Sequence, residues 1–510
     1  MKKFLTYSLM AAGLAMFSCD KDLDIENPNQ LAVEAYWKTP NDALLGVNAT
    51  YSTLHRGMSR FLPWYYIGRS DEGRSLSPAS HLVNNFDQFL VTDYNLGDTY
   101  GPLWRDSYIG VNRANQVINN VPNIEMDETL KQRYIGEAKF LRGMFYFHLA
   151  TIYGNVPLIT KVSVVGDLPP TATQAEVFAQ IERDLTDAAA VLPATYGSAD
   201  LGRATKGAAY ALLAKVYMQQ HKYAEAVAPL KWLVEDEGRN IYDLMPNYRD
   251  NFLVTSENNK ESVFEWQFAL NPAENHDDDT DPRADNLNYG QSLAKFMSPP
   301  GVGWSDVEAR RWVVDEFNER TTTGARDPRL AASFLFDYTD ERGPAFTMVY
   351  GQTFAQRYGA NNDRVWFRKF LNDNWKNTEE YNSPNNWRYI RYADVLLMYA
   401  EVLNETGNTA KAYQYVDRVR QRAGLARLSD VKPNLTKEQF LEQIKHERLL
   451  ELSGEGQRWH DLVRWGDLTS PTTKQRDPAF NSFTPGQDEF LPIPQLELDL
   501  NPNLNQNPGY

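Results

Sequence analysis

Between residues 137 and 153 the apolar side chains Ala138, Leu141, Phe145, Leu149 and Ile152 recur at three- and four-residue steps, and the pattern stops at Gly154 with Pro157 beyond it. That spacing puts one apolar stripe along a helix, which must be covered by other elements. Segments near 41–56, 103–120, 173–192, 204–219, 222–236, 390–405, 409–423 and 436–453 read the same way, whereas strand-like runs such as 263–268 are short and scattered. The chain is therefore expected to be mainly α.

Two of the helix pairs match each other. Ala214, Tyr217, Tyr223 and Ala226 stand at the spacing of a tetratricopeptide-like hairpin, and Ala400, Leu403 and Ala412 repeat it around a turn at Gly407. Small residues let paired helices approach closely, and the tyrosines fill the space between hairpins. Two hairpins alone cannot bury their faces, so further helices are expected to stack on them. Between the helical blocks lie two loop-rich regions, about 57–102 and 238–386, rich in Asn, Asp, Gly and Pro. Long irregular segments cost ordering entropy and tend to carry binding residues, so the ligand region is expected there.

The N-terminus has its own logic. Lys2 and Lys3 precede a mostly apolar run over 4–17, then Ser18 and Cys19, the only cysteine among 510 residues. This reads as a signal peptide over 1–18 cut at Cys19, whose thiol takes a lipid. The apolar run falls short of the ~20 residues that cross a bilayer. Asp20, Asp22, Asp24 and Glu26, followed by an Asn/Pro stretch, suit a solvated tether over 19–38. Formal net charge is −15, and −17 without Lys2 and Lys3, which argues against nucleic-acid binding and makes an anionic ligand an unfavourable default. Aromatic residues make up 13% of the chain, with 28 Tyr and 12 Trp, an excess that marks binding surfaces.

The most catalytic-looking cluster is Glu447, Arg448, Glu451, Glu455, Arg458, Trp459, His460, Asp461 and Arg464. Glu447, Glu451 and Glu455 share one helix face if the helix survives Gly454 and Gly456, and the arginines can neutralise them. A metalloprotease motif fails because position 450 is leucine, and two carboxylates on successive turns cannot face each other across a glycosidic bond. The cluster is expected to be a structural ion-pair network, and Arg142 is expected to pair with a buried acid. Asp277, Asp279 and Asp281 open like a calcium loop, but Pro282 and Asn288 stand where glycine and glutamate belong. An EF-hand is rejected, an irregular calcium site stays open, and no other cofactor is expected.

Five segments then carry a wider resemblance: "EAKFLRGMFYFHLATIYGNVPLI" (137–159), "RYADVLLMYAEVLNETG" (391–407), "VRQRAGL" (419–425), "HERLLELSGEGQRWHDLVRWG" (446–466) and the ending "LPIPQLELDLNPNLNQNPGY" (491–510). With "VNRANQVI" (111–118), they resemble the SusD/RagB family of surface lipoproteins, in the family's order. The resemblance implies a tetratricopeptide-like helical scaffold over 39–510 carrying a loop-rich ligand region. It also implies an outer-membrane lipoprotein that captures glycan, without catalysis, and delivers it to a SusC-like TonB-dependent transporter. Peptide capture within the same family is the alternative reading, and an exported glycoside hydrolase the alternative from another class. Glycan capture needs an exposed flat ring beside carboxylate, amide and guanidinium groups. Trp64, Asp71 and Arg74 occur in one short segment, Asn84 and Tyr94 follow, and Trp304 stands on a Gly/Pro-rich turn with no helical face to pack into. These six are the expected ligand-binding residues.

Overall fold

The computed structural model describes residues 36–55, 57–76, 81–90, 97–270, 289–337, 348–359 and 362–510. Cys19 with most of its tether, Tyr94, and Asp277, Asp279 and Asp281 lie outside the described residues. The helical part begins with α1 (Pro40–Ser52), α2 (Gly57–Gly68), α3 (His81–Asp87), α4 (Gly97–Asn120), α5 (Glu128–Tyr153), α6 (Gln174–Val191), α7 (Lys206–Gln219) and α8 (Tyr223–Val234). A five-residue helix, α9 (Leu293–Met297), follows in the loop-rich part. The chain then returns to α10 (Tyr392–Glu405), α11 (Thr409–Arg422), α12 (Lys437–Leu452) and α13 (Arg458–Trp465).

Helix α5 starts well before the periodic stretch, because the Asp127 side chain accepts a hydrogen bond from the Leu130 amide and caps it. It ends at Gly154, whose φ of 73° is the left-handed turn that glycine adopts without strain. Helices α5 and α6, α7 and α8, and α10 and α11 pack as pairs, and α8 against α10 joins the latter two. Ala214, Ala226, Ala400 and Ala412 are fully buried where these helices meet, as the hairpin spacing anticipates. Arg142 on α5 donates to Asp184 on α6 at 2.6 and 2.8 Å and to Asn115 on α4 at 2.7 Å, so its charge is neutralised inside the scaffold.

The loop reading of 57–102 is corrected at its start. Residues 57–68 form α2, in which Met58, Phe61, Leu62, Trp64, Tyr65, Tyr66 and Ile67 are all buried. A helix that is apolar all round gives no amphipathic signal, and Pro63 within it looks like a loop marker. The loop-rich part is otherwise organised by a small antiparallel sheet, in the order β1 (Gly73–Arg74), β3 (Glu308–Ala309), β5 (Val365–Phe367), β4 (Phe334–Phe336). A second pair, β2 (Ser262–Trp266) with β6 (Trp387–Arg391), sets Trp266 opposite Trp387 and leads directly into α10.

Where the sheet meets α11 and α12, charge replaces hydrocarbon. Arg391 at the end of β6 donates to Glu261 (2.6 Å), Glu451 (3.0 Å) and Glu455 (2.7 and 2.8 Å), with no exposed side-chain surface. Arg329 donates to Asp327, Glu447 and Glu451, Arg422 to Glu261 and Glu451, and Arg420 to Glu447. Lys369 donates to Glu455 at 2.6 Å. Helix α12 ends at Leu452, before Glu455, yet the left-handed turns at Gly454 and Gly456 return Glu455 to the same lattice. Burial would raise the Glu451 carboxyl, but Arg422, Arg391 and Arg329 overcome it and hold the group at about 2. A second chain runs Lys215–Asp394–Arg448–Asp461–Arg464–Glu401, and Arg458 pairs with Asp71, so the carboxylates and arginines of the cluster are all held in ion pairs. Removing one partner strands the others in a low-dielectric interior. Arg391→Met should therefore lower the unfolding free energy by about 3–5 kcal/mol, read as an earlier denaturant midpoint. An unchanged midpoint would contradict this account of the lattice.

Candidate ligand-binding site

Trp304 projects from a turn whose backbone leaves little freedom. The amides of Val302 and Gly303 donate to the Pro299 carbonyl, and those of Trp304, Ser305 and Asp306 donate to Lys295, Ser298 and Phe296, folding the turn back onto α9. Gly303 is obligatory, since a Cβ there would lie 2.2 Å from the Lys295 carbonyl oxygen. Gly301 supplies a φ of 81°. The outer side is fixed as well: the Tyr358 hydroxyl donates to the Pro300 carbonyl at 2.8 Å, and the Glu379 amide donates to the Val302 carbonyl at 3.2 Å. Ser305 accepts from Trp366 Nε1 and donates to Glu308 of β3, pinning the exit of the turn to the sheet.

Such a turn presents a large ring in a set orientation. Trp304 is 54% exposed, and its Nε1 donates to the Tyr381 hydroxyl at 2.9 Å. The Lys295 ammonium lies 5.8 Å from the Trp304 ring centre and 5.7 Å from that of Tyr381. It is itself held by the Glu379 carbonyl at 2.7 Å and the Glu380 carboxylate at 3.6 Å. Beneath lies Phe296, 5.8 Å from Tyr381 on one side and edge-on to Trp64 at 5.0 Å on the other. The result is a wet ring backed by a dry aromatic stack, beside fixed polar groups.

The sequence-predicted residues distribute unequally around this platform. Trp304 is where the Gly/Pro-rich turn suggested. Trp64 is not a surface ring: it is 2% exposed, packed against Phe61, Phe296 and the Arg60 guanidinium, and it reaches the platform only from below. Asp71 is also interior, with both carboxylate oxygens taken by Arg458 at 2.7 and 2.8 Å. Arg74 lies on β1, 3.7 Å from Glu308, and Asn84 is half-buried on α3, so neither joins Trp304 directly. Tyr381 and Lys295 were missed by sequence reasoning. The signal for Tyr381 was its place in the polar run "EEYNSPNN" (379–386), where a ring has no helix to enter. Among the described residues, no group of three His, Cys, Asp or Glu side chains converges as a metal-ligand set.

A groove of 530 Å³ elsewhere on the surface, lined by Trp104, Tyr108, Ile159, Pro169, Leu500 and Leu504, lacks a comparable ring. Its Trp104 is 4% exposed and packed edge-on against Tyr153, and the Tyr108 hydroxyl is given to the Pro157 carbonyl.

With the scaffold and the platform placed, comparison with known proteins decides the lineage. Residues 260–510 match the SusD family, and residues 70–218 match the family described as starch-binding associating with outer membrane. The chain belongs to the SusD/RagB family. SusD-like protein P25 of Formosa agariphila is 27% identical, covering 97% of both chains. Among solved structures, a SusD superfamily protein from Bacteroides vulgatus superposes with a TM-score of 0.80 at 27% identity, over 93% of this chain and 100% of the other. A laminarin binding SusD-like protein gives 0.75 at 28% identity, again over 93% and 100%. The mainly helical fold expected from periodicity, and the SusD-like form that the resemblance implied, are the observed ones.

The sheet that carries the turn also holds carboxylates in a dry place. Arg310, immediately after β3, donates through one nitrogen to both Asp87 of α3 (2.6 Å) and Asp477 (2.8 Å), and through Nε to the Gly73 carbonyl. One guanidinium cannot neutralise two buried carboxylates. Burial pushes Asp477 up to about 7 and raises Asp87, in each case against the pull of Arg310, while Glu72, buried beside the Gly454 amide, is pushed up to about 7. Because these groups bind protons more tightly folded than unfolded, their contribution to stability is greatest at acid pH and is lost as pH rises through about 7. The thermal midpoint should therefore fall between about pH 4.5 and pH 7 and level off above that, and Asp477→Asn should flatten the slope. A midpoint flat across this range in the unaltered protein would contradict the assignment.

Proposed function

We propose that this SusD/RagB protein captures glycan on the Trp304–Tyr381 platform at the cell surface and hands it to a SusC-like TonB-dependent outer-membrane transporter. The observation that carries the reading is the geometry of Trp304: exposed, backbone-locked and hydrogen-bonded to Tyr381. A flat ring covers the apolar C–H face of a sugar, while neighbouring amides, carboxylates and ammonium groups reach its hydroxyls. The starch-binding description of one matched family and the laminarin-binding description of one structural relative support the same ligand class. Affinity on so open a surface is expected to be modest, because little area is buried.

The task needs no proton transfer, and the carboxyl best placed to be mistaken for a catalyst is occupied. Glu379 is buried and accepts from the Tyr350 hydroxyl, the Asn372 amide and the Asn372 side chain. No helix among the described residues is long and apolar enough to cross a membrane, so the proposed anchor is the lipid on Cys19. Residues 1–18 are then the signal, 19–38 the tether and 39–510 the binding body.

Trp304→Ala should weaken glycan binding at least about tenfold, a loss of about 1.4 kcal/mol, without moving the thermal midpoint. Titration calorimetry on purified protein reads this, and undiminished binding would place the site elsewhere. Oligosaccharides recovered from the same incubation should keep their length; shortened products would favour a glycoside hydrolase. Cys19→Ala should release the protein from the membrane fraction of whole cells, and undiminished membrane association would refute the lipid anchor.

A further inference from the structure

Two residues other than glycine hold left-handed backbone beside the platform. Ser305, directly after Trp304, has a φ of 57°, and Tyr350 has a φ of 48°. That region is uncommon for any residue with a Cβ and strained for a bulky one, so it persists only where the surroundings impose it. The Ser305 hydroxyl is engaged by Trp366, Glu308 and Arg364, which accounts for its conformation. Tyr350 and Gly351, the latter with a φ of 80°, form the two-residue turn of a hairpin in which Met348–Val349 pairs with Gln352–Thr353. Both central residues of such a turn are left-handed, and asparagine, aspartate or glycine is the usual choice at the first. A tyrosine there needs another reason to stay. Its ring is buried, and its hydroxyl donates to Glu379 Oε1 at 2.5 Å.

Glu379 is where the parts of the platform meet. Its fully buried carboxyl also accepts from the Asn372 amide at 2.7 Å and from Asn372 Nδ2 at 2.9 Å, and Asn372 Nδ2 donates as well to Ser383 Oγ at 2.9 Å. Both of its main-chain groups serve the other half of the site. The Glu379 amide donates to the Val302 carbonyl in the Trp304 turn at 3.2 Å, and its carbonyl accepts from Lys295 Nζ at 2.7 Å. The Lys295 carbonyl in turn accepts from the Trp304 amide at 2.8 Å. Two residues after Glu379 comes Tyr381, which takes the Trp304 indole N–H. Burial pushes the Glu379 carboxyl up, and the bonds from Tyr350 and Asn372, with the Lys376 charge, pull against that.

We propose that Glu379, with Tyr350 behind it, is a positioning residue of the glycan site: it fixes the Trp304 turn and Tyr381 relative to each other and acts on the ligand only through Trp304. This rests on the reading of the Trp304 platform as a glycan site. Glu379 has no exposed surface with which to touch a sugar, so any effect it has on binding must pass through the groups it holds. Those groups set the orientation of an exposed ring, and a ring oriented in advance gives up less freedom when a sugar settles on it. The strained Tyr350 stands at the far end of the same line of contacts. Its conformation is explained if the hydroxyl must meet Glu379 from that side.

The test is a double-mutant cycle read by titration calorimetry on the whole protein, with maltohexaose and laminarihexaose as probes. Glu379→Ala should weaken the better-bound hexaose by about fivefold or more, and Glu379→Gln, which keeps the size and an acceptor oxygen, should recover most of the loss. In a Trp304→Ala background, Glu379→Ala should cause no further loss, because a residue that acts through Trp304 then has nothing to act on. Equal losses in both backgrounds would overturn the proposal. Tyr350→Phe keeps the ring and the turn and removes only the hydroxyl, so it covers the case in which Glu379→Ala does not fold; it should lower affinity by about twofold to threefold. Fluorine NMR of fluorotryptophan-labelled protein gives a readout that needs no ligand. The resonance abolished by Trp304→Phe should shift or broaden in Glu379→Ala and in Tyr350→Phe and return in Glu379→Gln, and an unchanged resonance in both would overturn the proposal. If Trp304→Ala leaves hexaose binding intact, or neither hexaose binds, the glycan reading falls, and the NMR result decides by itself whether Glu379 orients Trp304.

Discussion

The buried lattice centred on Arg391 and Glu451 is the constraint on which the rest of the molecule depends. Four arginines and a lysine meet Glu261, Asp327, Glu447, Glu451 and Glu455 where β2, β6, α11 and α12 converge. Well-packed hydrocarbon of the same volume would stabilise such a junction as much or more, since each ion must first be stripped of water. What the lattice adds is discrimination. Each arginine has its donors aimed at particular carboxylates, so a slip of helix or strand leaves charges stranded rather than merely loosening a contact. The loop-rich part is thereby held on the helical scaffold in one arrangement.

The consequence reaches the site through the turn after α12. Left-handed residues Gly454 and Gly456 let the chain double back, placing Glu455 on Arg391 and Lys369, the Gly454 amide on Glu72, and Arg458 on Asp71. A side chain at Gly454 would meet the Phe367 ring of β5 at 2.5 Å, so the close approach requires glycine. These contacts fix the end of α2 and the start of β1. From α2, Trp64 supports Phe296, Phe296 supports Tyr381, and Tyr381 accepts the hydrogen bond that orients Trp304. A ring ordered in advance loses less freedom when a sugar settles on it, which matters where the buried area is small.

Much of this was legible in local patterns. The long helices follow from three- and four-residue apolar steps, the hairpins from alanines at matching positions, and the lattice from glutamates four residues apart among arginines. Glu455 departs from that reading only in mechanism, because a glycine turn rather than continued helix delivers it. Helix α2 was hidden because its apolar side chains cover every face and Pro63 interrupts it, so neither periodicity nor composition set it apart from a loop. The same ambiguity put Trp64 and Asp71 on the surface when burial and Arg458 claim them. Trp304 was legible because a Pro/Gly turn offers a large ring nothing to pack against. Its partners were not: Tyr381 is 77 residues away, and their meeting is a product of tertiary folding.

The central claim is that an oligosaccharide lies on Trp304 and nowhere deeper. A crystal structure of the protein with the oligosaccharide it binds most tightly tests this directly. The account predicts a sugar ring parallel to the Trp304 indole, within contact of Tyr381, with Trp64 still buried beneath. Ligand seated instead in the groove beside Trp104 and Leu500, with Trp304 bare, would contradict it.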